Sequence, residues 1–257
     1  MVSMAKVIAI CNQKGGVGKT TTTAAVAAGL RRRGFGVLAV DLDPQGNLSF
    51  CLGADGGELC ASIYNVLKGE ISIEAAIQRT KTVDVIASNI LLSGIELEFT
   101  SSGREYLMRE ALEPIRNRYD YILIDSPPAL SILTVNAFTA SDLIVVPMLS
   151  DIFSLQGIAQ LHDTVERVRA YCNPSLRYAG ILLTRCMPRT LLASEIRGTA
   201  EMISAELHIP IFKTSIRSSI AVCEAQSLQQ DLFSYSPKNP AAMDYKALVD
   251  EMLASGI

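Results

Sequence analysis

A glycine-rich segment with a lysine at each end, residues 14–19, follows shortly after an apolar run that ends at Ile10. Its three glycines allow successive backbone N–H groups to face one side, and a helix that begins at the end of the segment adds its positive N-terminal end. Lys19 supplies a charge for the outer phosphates of a nucleotide, and the Thr20 hydroxyl suits a Mg²⁺ ion. The sequence therefore predicts a phosphate-binding loop made of Lys14, Gly15, Gly16, Val17, Gly18, Lys19, Thr20 and Thr21.

The loop differs from the common P-loop pattern at its first position. That pattern has a glycine six residues before the lysine, whereas this chain has Gln13 there and a second lysine, Lys14, next to it. Two lysines at the two ends of one tight loop need not serve the same phosphate chain. Lys14 is therefore a candidate to reach a nucleotide that another subunit holds.

Three carboxylates follow apolar runs that are typical of buried strands. Asp41 and Asp43 come directly after residues 37–40, and Asp125 comes after residues 121–124. In an extended segment, residues two apart face the same way, so we expect Asp41 and Asp43 to face the phosphate site together. Such acids could hold metal-bound water and orient the attacking water. Asp125, with two prolines close behind it, has the Walker B arrangement and is expected to bind Mg²⁺.

The segment 13–22, Gln-Lys-Gly-Gly-Val-Gly-Lys-Thr-Thr-Thr, resembles the deviant Walker A motif of ParA/Soj-type partition ATPases, with MinD-type proteins as cousins. The resemblance is specific and covers most of the chain. It continues through residues 41–47, 124–128, 133–137, 153–157 and 189–193.

The resemblance implies a Mg²⁺-dependent ATPase that forms a homodimer on binding ATP. Lys14 would contact nucleotide across the dimer, and Lys14, Lys19 and Asp43 would be the catalytic residues. The metal site would comprise Thr20, Asp41 and Asp125. Slow turnover and stimulation by a ParB-type partner are also expected.

Family dimers bind DNA non-specifically through basic residues late in the chain. The candidates here are Arg185, Arg189, Arg197, Lys213 and Arg217. This chain departs from the family in one place, because Ser218 and Ala221 stand where two family arginines are expected, and Arg217 is a candidate substitute. Met187, Pro188 and Ile216 are expected to border the adenine.

Alternating strand and helix patterns predict an α/β fold: a single doubly wound, mostly parallel sheet with helices on both faces, of the P-loop NTPase type. At 257 residues the chain could form one large domain or two small ones, and the lack of any linker favours one domain over 1–257. The expected strands are 7–10, 37–40, 83–87, 121–124, 143–147, 180–183 and 210–212. The expected helices are 19–33, 103–118, 130–140, 154–171, 191–207 and 241–253.

A net charge of −3 does not mark a nucleic-acid binder, so any DNA surface must be a local patch. Six scattered cysteines and no signal peptide indicate a reduced, cytoplasmic protein, and the resemblance adds nucleoid association. No helix-turn-helix region precedes Lys6, so the chain resembles the short form of the family.

Several related functions remain open at this point. A MinD-like membrane ATPase would need a cationic amphipathic C-terminal helix, which the acidic end of this chain lacks, so no stable membrane association is expected. A nitrogenase-type iron protein would need cysteines that bridge a cluster, and the absence of any cysteine between Asp125 and Cys172 argues against it. A ligase of the dethiobiotin synthetase type would need its own substrate pocket, which the sequence does not reveal. Residues 153–157 and 189–190 favour the partition family over these alternatives. The cargo, whether chromosome, plasmid or protein cluster, stays undetermined.

Overall fold

The computed structural model of this protein describes residues 4–99, 101–149, 154–187 and 191–257. The strands are β1 (Lys6–Ile10), β2 (Val37–Asp41), β3 (Ile77–Arg79), β4 (Asp84–Ile86), β5 (Tyr121–Asp125), β6 (Leu143–Leu149) and β7 (Arg177–Thr184). They form one seven-stranded sheet in the order β3-β4-β2-β5-β1-β6-β7. Every neighbouring pair is parallel except β3 and β4, which are antiparallel. The predicted α/β fold with a mostly parallel, doubly wound sheet is confirmed.

The helices lie between and around these strands. They are α1 (Lys19–Arg31), α2 (Asn47–Cys51), α3 (Ile63–Leu67), α4 (Ile73–Ala76), α5 (Ile95–Glu98), α6 (Leu107–Leu112), α7 (Ile132–Ala140), α8 (Ser154–Tyr171), α9 (Leu191–Leu207), α10 (Ile220–Ser227), α11 (Leu232–Tyr235) and α12 (Pro240–Ala254). Two short 3₁₀ turns, Ile90–Gly94 and Glu113–Ile115, complete the described elements. Within the described part of the chain, no helix is both long and apolar enough to cross a membrane.

The sheet has an apolar core on each face, because alternate residues of a strand point to opposite sides. In β1, Val7 and Ala9 belong to one core, and Ile8 and Ile10 belong to the other. Residues of α7 and α8 cover the first face, and residues of α1 and α12 cover the second. Burial on both faces explains why the strands read as continuous apolar runs in the sequence.

The structure differs from the sequence-based elements in several places. The helices α2, α3, α4, α5, α10 and α11 were not expected, and three further differences have a direct physical reason. Residues 210–212 form an isolated bridge to β7 and not a strand, since Pro210 has no N–H to donate to a ladder. The helix expected over 103–118 is confined to α6, because Pro114 follows and the chain tightens into a 3₁₀ turn. The antiparallel β3 was not expected, because two of its residues are only partly buried and the third, Arg79, is exposed.

Parallel strands bring the ends of β1, β2 and β5 to one edge of the sheet. Ile10 lies opposite Asp125, and Asp125 lies opposite Asp41. Ligands of open α/β sheets bind at this edge, outside the carboxyl ends of the strands. The candidate site residues of the sequence analysis that follow these three strands therefore lie close together.

Candidate nucleotide site

The glycine-rich loop joins β1 to α1 and begins the helix without a side-chain cap. Gly16 and Gly18 have φ angles of +73° and +88°, which L-residues with side chains rarely adopt. Gly18 is the N-cap of α1 and, having no side chain, makes no capping hydrogen bond to the first turn. The N–H groups of this turn are therefore available to an anion, and the helix dipole favours a negative charge there.

Side chains from neighbouring strand ends hold this loop in place. Asn12 accepts a hydrogen bond from the N–H of Lys14 (3.0 Å) and donates one to the carbonyl of Pro147 at the end of β6 (2.7 Å). The hydroxyl of Thr184, at the end of β7, donates to the carbonyl of Val17 (2.8 Å). The loop is thus tied to two strands beyond its own, which pre-organises it for ligand binding.

Lys19 is the first residue of α1 and is only 7% exposed. Its ammonium group donates to the carbonyl oxygen of Lys14 across the loop (3.2 Å). Burial lowers the pKa of Lys19, and the negative charge of Asp125 works against that change. A cation held at this position is suited to an anionic ligand that enters the loop.

Asp125 ends β5 and accepts hydrogen bonds from two hydroxyl groups of α1. Thr20 donates to Oδ2 (2.7 Å) and Thr23 donates to Oδ1 (3.2 Å). Burial raises the pKa of Asp125, and the nearby Asp41 carboxylate raises it further. A buried carboxylate with such a raised pKa is stabilised in its charged form when a cation binds beside it.

The donor set around Asp125 fits Mg²⁺. The Thr20 hydroxyl and the Asp125 carboxylate offer oxygen ligands next to the loop. Over the described ranges, no group of three or more His, Cys, Asp or Glu side chains could enclose a metal ion by itself. Mg²⁺ usually takes one or two protein oxygens and completes its shell with water and phosphate oxygens, which agrees with this arrangement.

Asp43 and Asp41 have different surroundings. Asp43 lines the cleft beside Lys19, and its Oδ1 accepts the N–H of Gln45 (3.0 Å). Asp41 is fully buried and is not among the described residues that line the cleft. Its carboxylate accepts hydrogen bonds from Asp43 and Ser49 instead.

The expectation that both acids face the phosphate site is therefore met only by Asp43. Strand β2 ends at Asp41, so the alternation that would place residues 41 and 43 on one side does not continue. Asp41 stays close enough to Asp125 to raise its pKa. It therefore acts on the Asp125 carboxylate, a candidate Mg²⁺ ligand, through its charge and without lining the cleft.

The cleft has a volume of about 400 Å³ and is open on one side. Gly15, Gly16, Gly18, Lys19, Thr20, Thr21 and Asp43 line it together with Gln45, Asn47, Cys51, Pro128, Arg185 and Gln226. A second pocket of about 240 Å³ adjoins it and shares Gly18, Thr21, Arg185 and Gln226. Of the residues predicted to border the adenine, Ile216 lines this second pocket, and Met187 is not among its described lining residues. Pro188 lies outside the described residues.

Gln226 is a cleft residue that the sequence analysis missed. It lies on α10, and its side-chain amide donates to the Thr21 hydroxyl on α1 (3.0 Å). The two residues are 205 positions apart, and no local pattern links them. The neighbouring Arg185 lines both pockets, with a φ of +52° at the end of β7.

The structure does not gather the candidate DNA-binding residues into one patch. Arg185 and Arg217 line the second pocket, beside the glycine-rich loop at the carboxyl ends of the strands. Lys213 lines a different pocket with Lys6 and Arg177, which are the first residues of β1 and β7, so this pocket lies at the amino ends of the strands. Arg189 lies outside the described residues.

Two of these arginines have acidic partners. The guanidinium of Arg217 donates to both carboxylate oxygens of Asp244 (2.7 and 2.8 Å), which compensates its charge. Arg197, on α9, is exposed and lies 3.4 Å from Glu201. The contacts of Arg217 therefore do not support the prediction that it takes over DNA binding from the two missing family arginines.

A protein-family model described as an AAA domain matches residues 5–178. The sporulation initiation inhibitor protein Soj of Bacillus subtilis is 38% identical over 98% of this chain and 100% of its own length. The chromosome partitioning protein ParA of Caulobacter vibrioides is 39% identical over 97% of this chain and 94% of its own length.

Solved structures show the same fold. Cobyrinic acid a,c-diamide synthase of Mycobacterium smegmatis, with bound ADP and magnesium, has a TM-score of 0.86 and 33% identity, covering 99% of this chain and 97% of its own. The ATP complex of a single-residue variant of Cyanothece McdA has a TM-score of 0.87 at 22% identity, covering 98% and 97%. The second likeness supports the fold alone.

Proposed function

The chain belongs to the ParA/Soj family of partition ATPases, and from this premise we propose that it hydrolyses ATP with Mg²⁺, dimerises on ATP and binds DNA non-specifically to drive segregation with a ParB-type partner. One observation carries the proposal. Lys19, Thr20 and Asp43 line a single cleft at the carboxyl ends of the strands, and Asp125 lies directly behind Thr20.

In this proposal the loop binds the phosphates and the carboxylates prepare the reaction. The N–H groups of the loop and the Lys19 ammonium hold the β- and γ-phosphates, while Thr20 and Asp125 hold Mg²⁺. The bound ion neutralises charge on the outer phosphates. Asp43 orients the attacking water, and the products are ADP and phosphate. Catalysis then depends on positioning and charge, as phosphoryl transfer requires.

Lys14 links hydrolysis to dimerisation in the proposed cycle. Its backbone is fixed on both sides, since its N–H donates to Asn12 and its carbonyl accepts from Lys19. Its side chain starts from a defined point at the rim of the loop and reaches the nucleotide of a second copy. ATP then joins two subunits, and loss of the γ-phosphate releases them.

DNA binding is proposed to use basic residues that project from the dimer, with Arg197 as the described candidate whose side chain is 45% exposed. Contacts with phosphates release counterions, so affinity should fall steeply as the salt concentration rises. Two alternative functions keep the same nucleotide chemistry. In one, the dimer positions a protein cargo, and in the other, a MinD-like activity, it binds a membrane in place of DNA.

The test measures size and DNA binding in parallel with no nucleotide, ADP, ATP and a slowly hydrolysed ATP analogue, at low and moderate salt. We expect a dimer that binds arbitrary DNA only with ATP or the analogue. Arg197→Ala should weaken this binding, whereas Arg118→Ala should not. The two arginines are matched, because each is exposed and each lies near one glutamate.

A dimer that ignores DNA would remove the DNA part of the proposal. The search would then turn to a protein partner, and to vesicles for a MinD-like activity. Absence of any ATP-dependent change in size would refute the proposed cycle itself.

A further inference from the structure

The loop that carries Asp43 is held at both ends by one buried carboxylate. Oδ1 of Asp41 accepts the N–H of Asp43 (3.1 Å). Oδ2 of Asp41 accepts both the N–H of Ser49 (2.8 Å) and its hydroxyl (2.7 Å). Asp41 and Ser49 are 0% and 1% exposed. Hydrogen bonds to a buried charged acceptor are stronger than those between neutral groups, so these bonds hold the loop firmly.

Ser49 also connects the loop to the neighbouring part of the sheet. Its hydroxyl donates its single proton to Asp41 and accepts the N–H of Ser88, just beyond the end of β4 (2.9 Å). Gly46, at the start of α2, has a φ of +66°, and a Cβ at this position would lie 3.2 Å from the carbonyl oxygen of Ser88. The loop is therefore packed closely against Ser88 and has one well-defined path.

We propose that Ser49 is a positioning residue for ATP hydrolysis, which acts by fixing the loop so that the Asp43 carboxylate stays at the cleft. The inference rests on the proposed role of Asp43. Ser49 is not among the described residues that line the nucleotide cleft, so it acts through Asp41 and the loop. Displacing a reacting group by about 1 Å can reduce the rate on the order of 100-fold.

The geometry separates effects on turnover from effects on binding. Lys19, Thr20 and the glycine-rich loop do not depend on the bonds of Ser49, so they hold nucleotide whether or not its hydroxyl is present. Loss of the hydroxyl leaves Asp41 without one charge-assisted donor and leaves the Ser88 N–H without its acceptor. The Asp43 loop then samples other positions, and the rate of hydrolysis falls.

The experiment compares Ser49→Ala with Ser141→Ala in the full chain. Ser141, just before β6, is a matched control. It is also 1% exposed, and its hydroxyl also donates to a carbonyl or carboxylate oxygen, here the carbonyl of Ala137 (2.7 Å). For Ser49→Ala we expect kcat for ATP to fall about tenfold, as loss of a hydrogen bond to a charged group implies. KM and the nucleotide affinity should stay within about twofold of the wild type, because the phosphate contacts are intact. Ser141→Ala should retain the wild-type kcat.

Combining Ser49→Ala with Asp43→Ala provides the second measurement. If Ser49 acts through Asp43, adding Ser49→Ala to the Asp43→Ala protein changes single-turnover hydrolysis by less than about twofold, because effects of groups that act as a unit do not add. An unchanged kcat in Ser49→Ala would overturn the inference, and so would a full tenfold fall that persists without Asp43. If the wild type and Ser141→Ala show no hydrolysis, the proposed function itself has failed.

Discussion

Replacing Asp43 with alanine should separate ATP binding from ATP hydrolysis. Asp43 is 8% exposed and lines the cleft with Lys19 and Gly16. The substitution removes its carboxylate and the turn bond to the Gln45 N–H. The loop, Thr20 and the Asp125 site keep their own contacts. We therefore expect the variant to bind ATP, to hydrolyse it poorly and to accumulate as a dimer.

The size of the effect follows from the two contacts that are lost. A side chain that positions or activates the attacking group contributes about 10²–10⁴ to the rate, which corresponds to ~2.7–5.4 kcal/mol in the activation barrier. The neutral N–H of Gln45 loses one acceptor, at a cost of about 1 kcal/mol in the free energy of unfolding. ATP affinity should not fall, because the substitution also removes a negative charge beside the phosphates.

The assay combines single-turnover phosphate release, nucleotide binding and light scattering on the same preparation. Asp163→Ala serves as the control, because Asp163 is an exposed aspartate on α8. We expect phosphate release to slow at least 100-fold in Asp43→Ala, with an ATP-dependent dimer that persists. Full turnover by this variant would refute the assignment of Asp43, and loss of ATP binding would show that its main role is structural.

Three further perturbations test other parts of the site. Lys19→Ala should abolish nucleotide binding or hydrolysis, since the buried ammonium is the charge that the loop presents to phosphates; a variant with wild-type ATP affinity and turnover would remove that role. Gln226→Ala should weaken nucleotide affinity by about fivefold, because Gln226 lines both pockets and the substitution removes from the cleft one neutral hydrogen-bonding group of about 1 kcal/mol; equal titration curves for the two proteins would contradict this. Burial raises the pKa of Asp125, so the folded, nucleotide-free protein binds a proton that the unfolded chain releases above about pH 4. Its free energy of unfolding in EDTA should therefore fall as the pH rises from about 4 towards neutrality, and Asp125→Asn should flatten that dependence in urea titrations.

The sequence indicated the fold class and the phosphate loop because both depend on local patterns. Strand, glycine-rich turn and helix occur consecutively between Lys6 and Arg31, and the apolar runs of β1 and β5 are long enough to recognise. Asp125 was found for the same reason, since it directly ends one of those runs. Elements with weaker patterns, such as β3 and the short helix α2, could not be predicted. Such short elements are stabilised mainly by tertiary contacts, and the intrinsic helix or strand propensity of their residues contributes little.

Tertiary structure alone decided how the polar side chains pair. Asp41 and Asp43 are both aspartates and lie two positions apart where β2 ends. Only the folded chain brings Ser49 into contact with Asp41 and leaves Asp43 at the cleft. Arg217 is a plausible DNA ligand in the sequence, but Asp244, 27 positions away, compensates its charge. A buried polar group must find a partner, and that partner can come from any part of the chain. Local sequence therefore determines which groups are available, whereas the packing of distant segments determines which of them remain free to act.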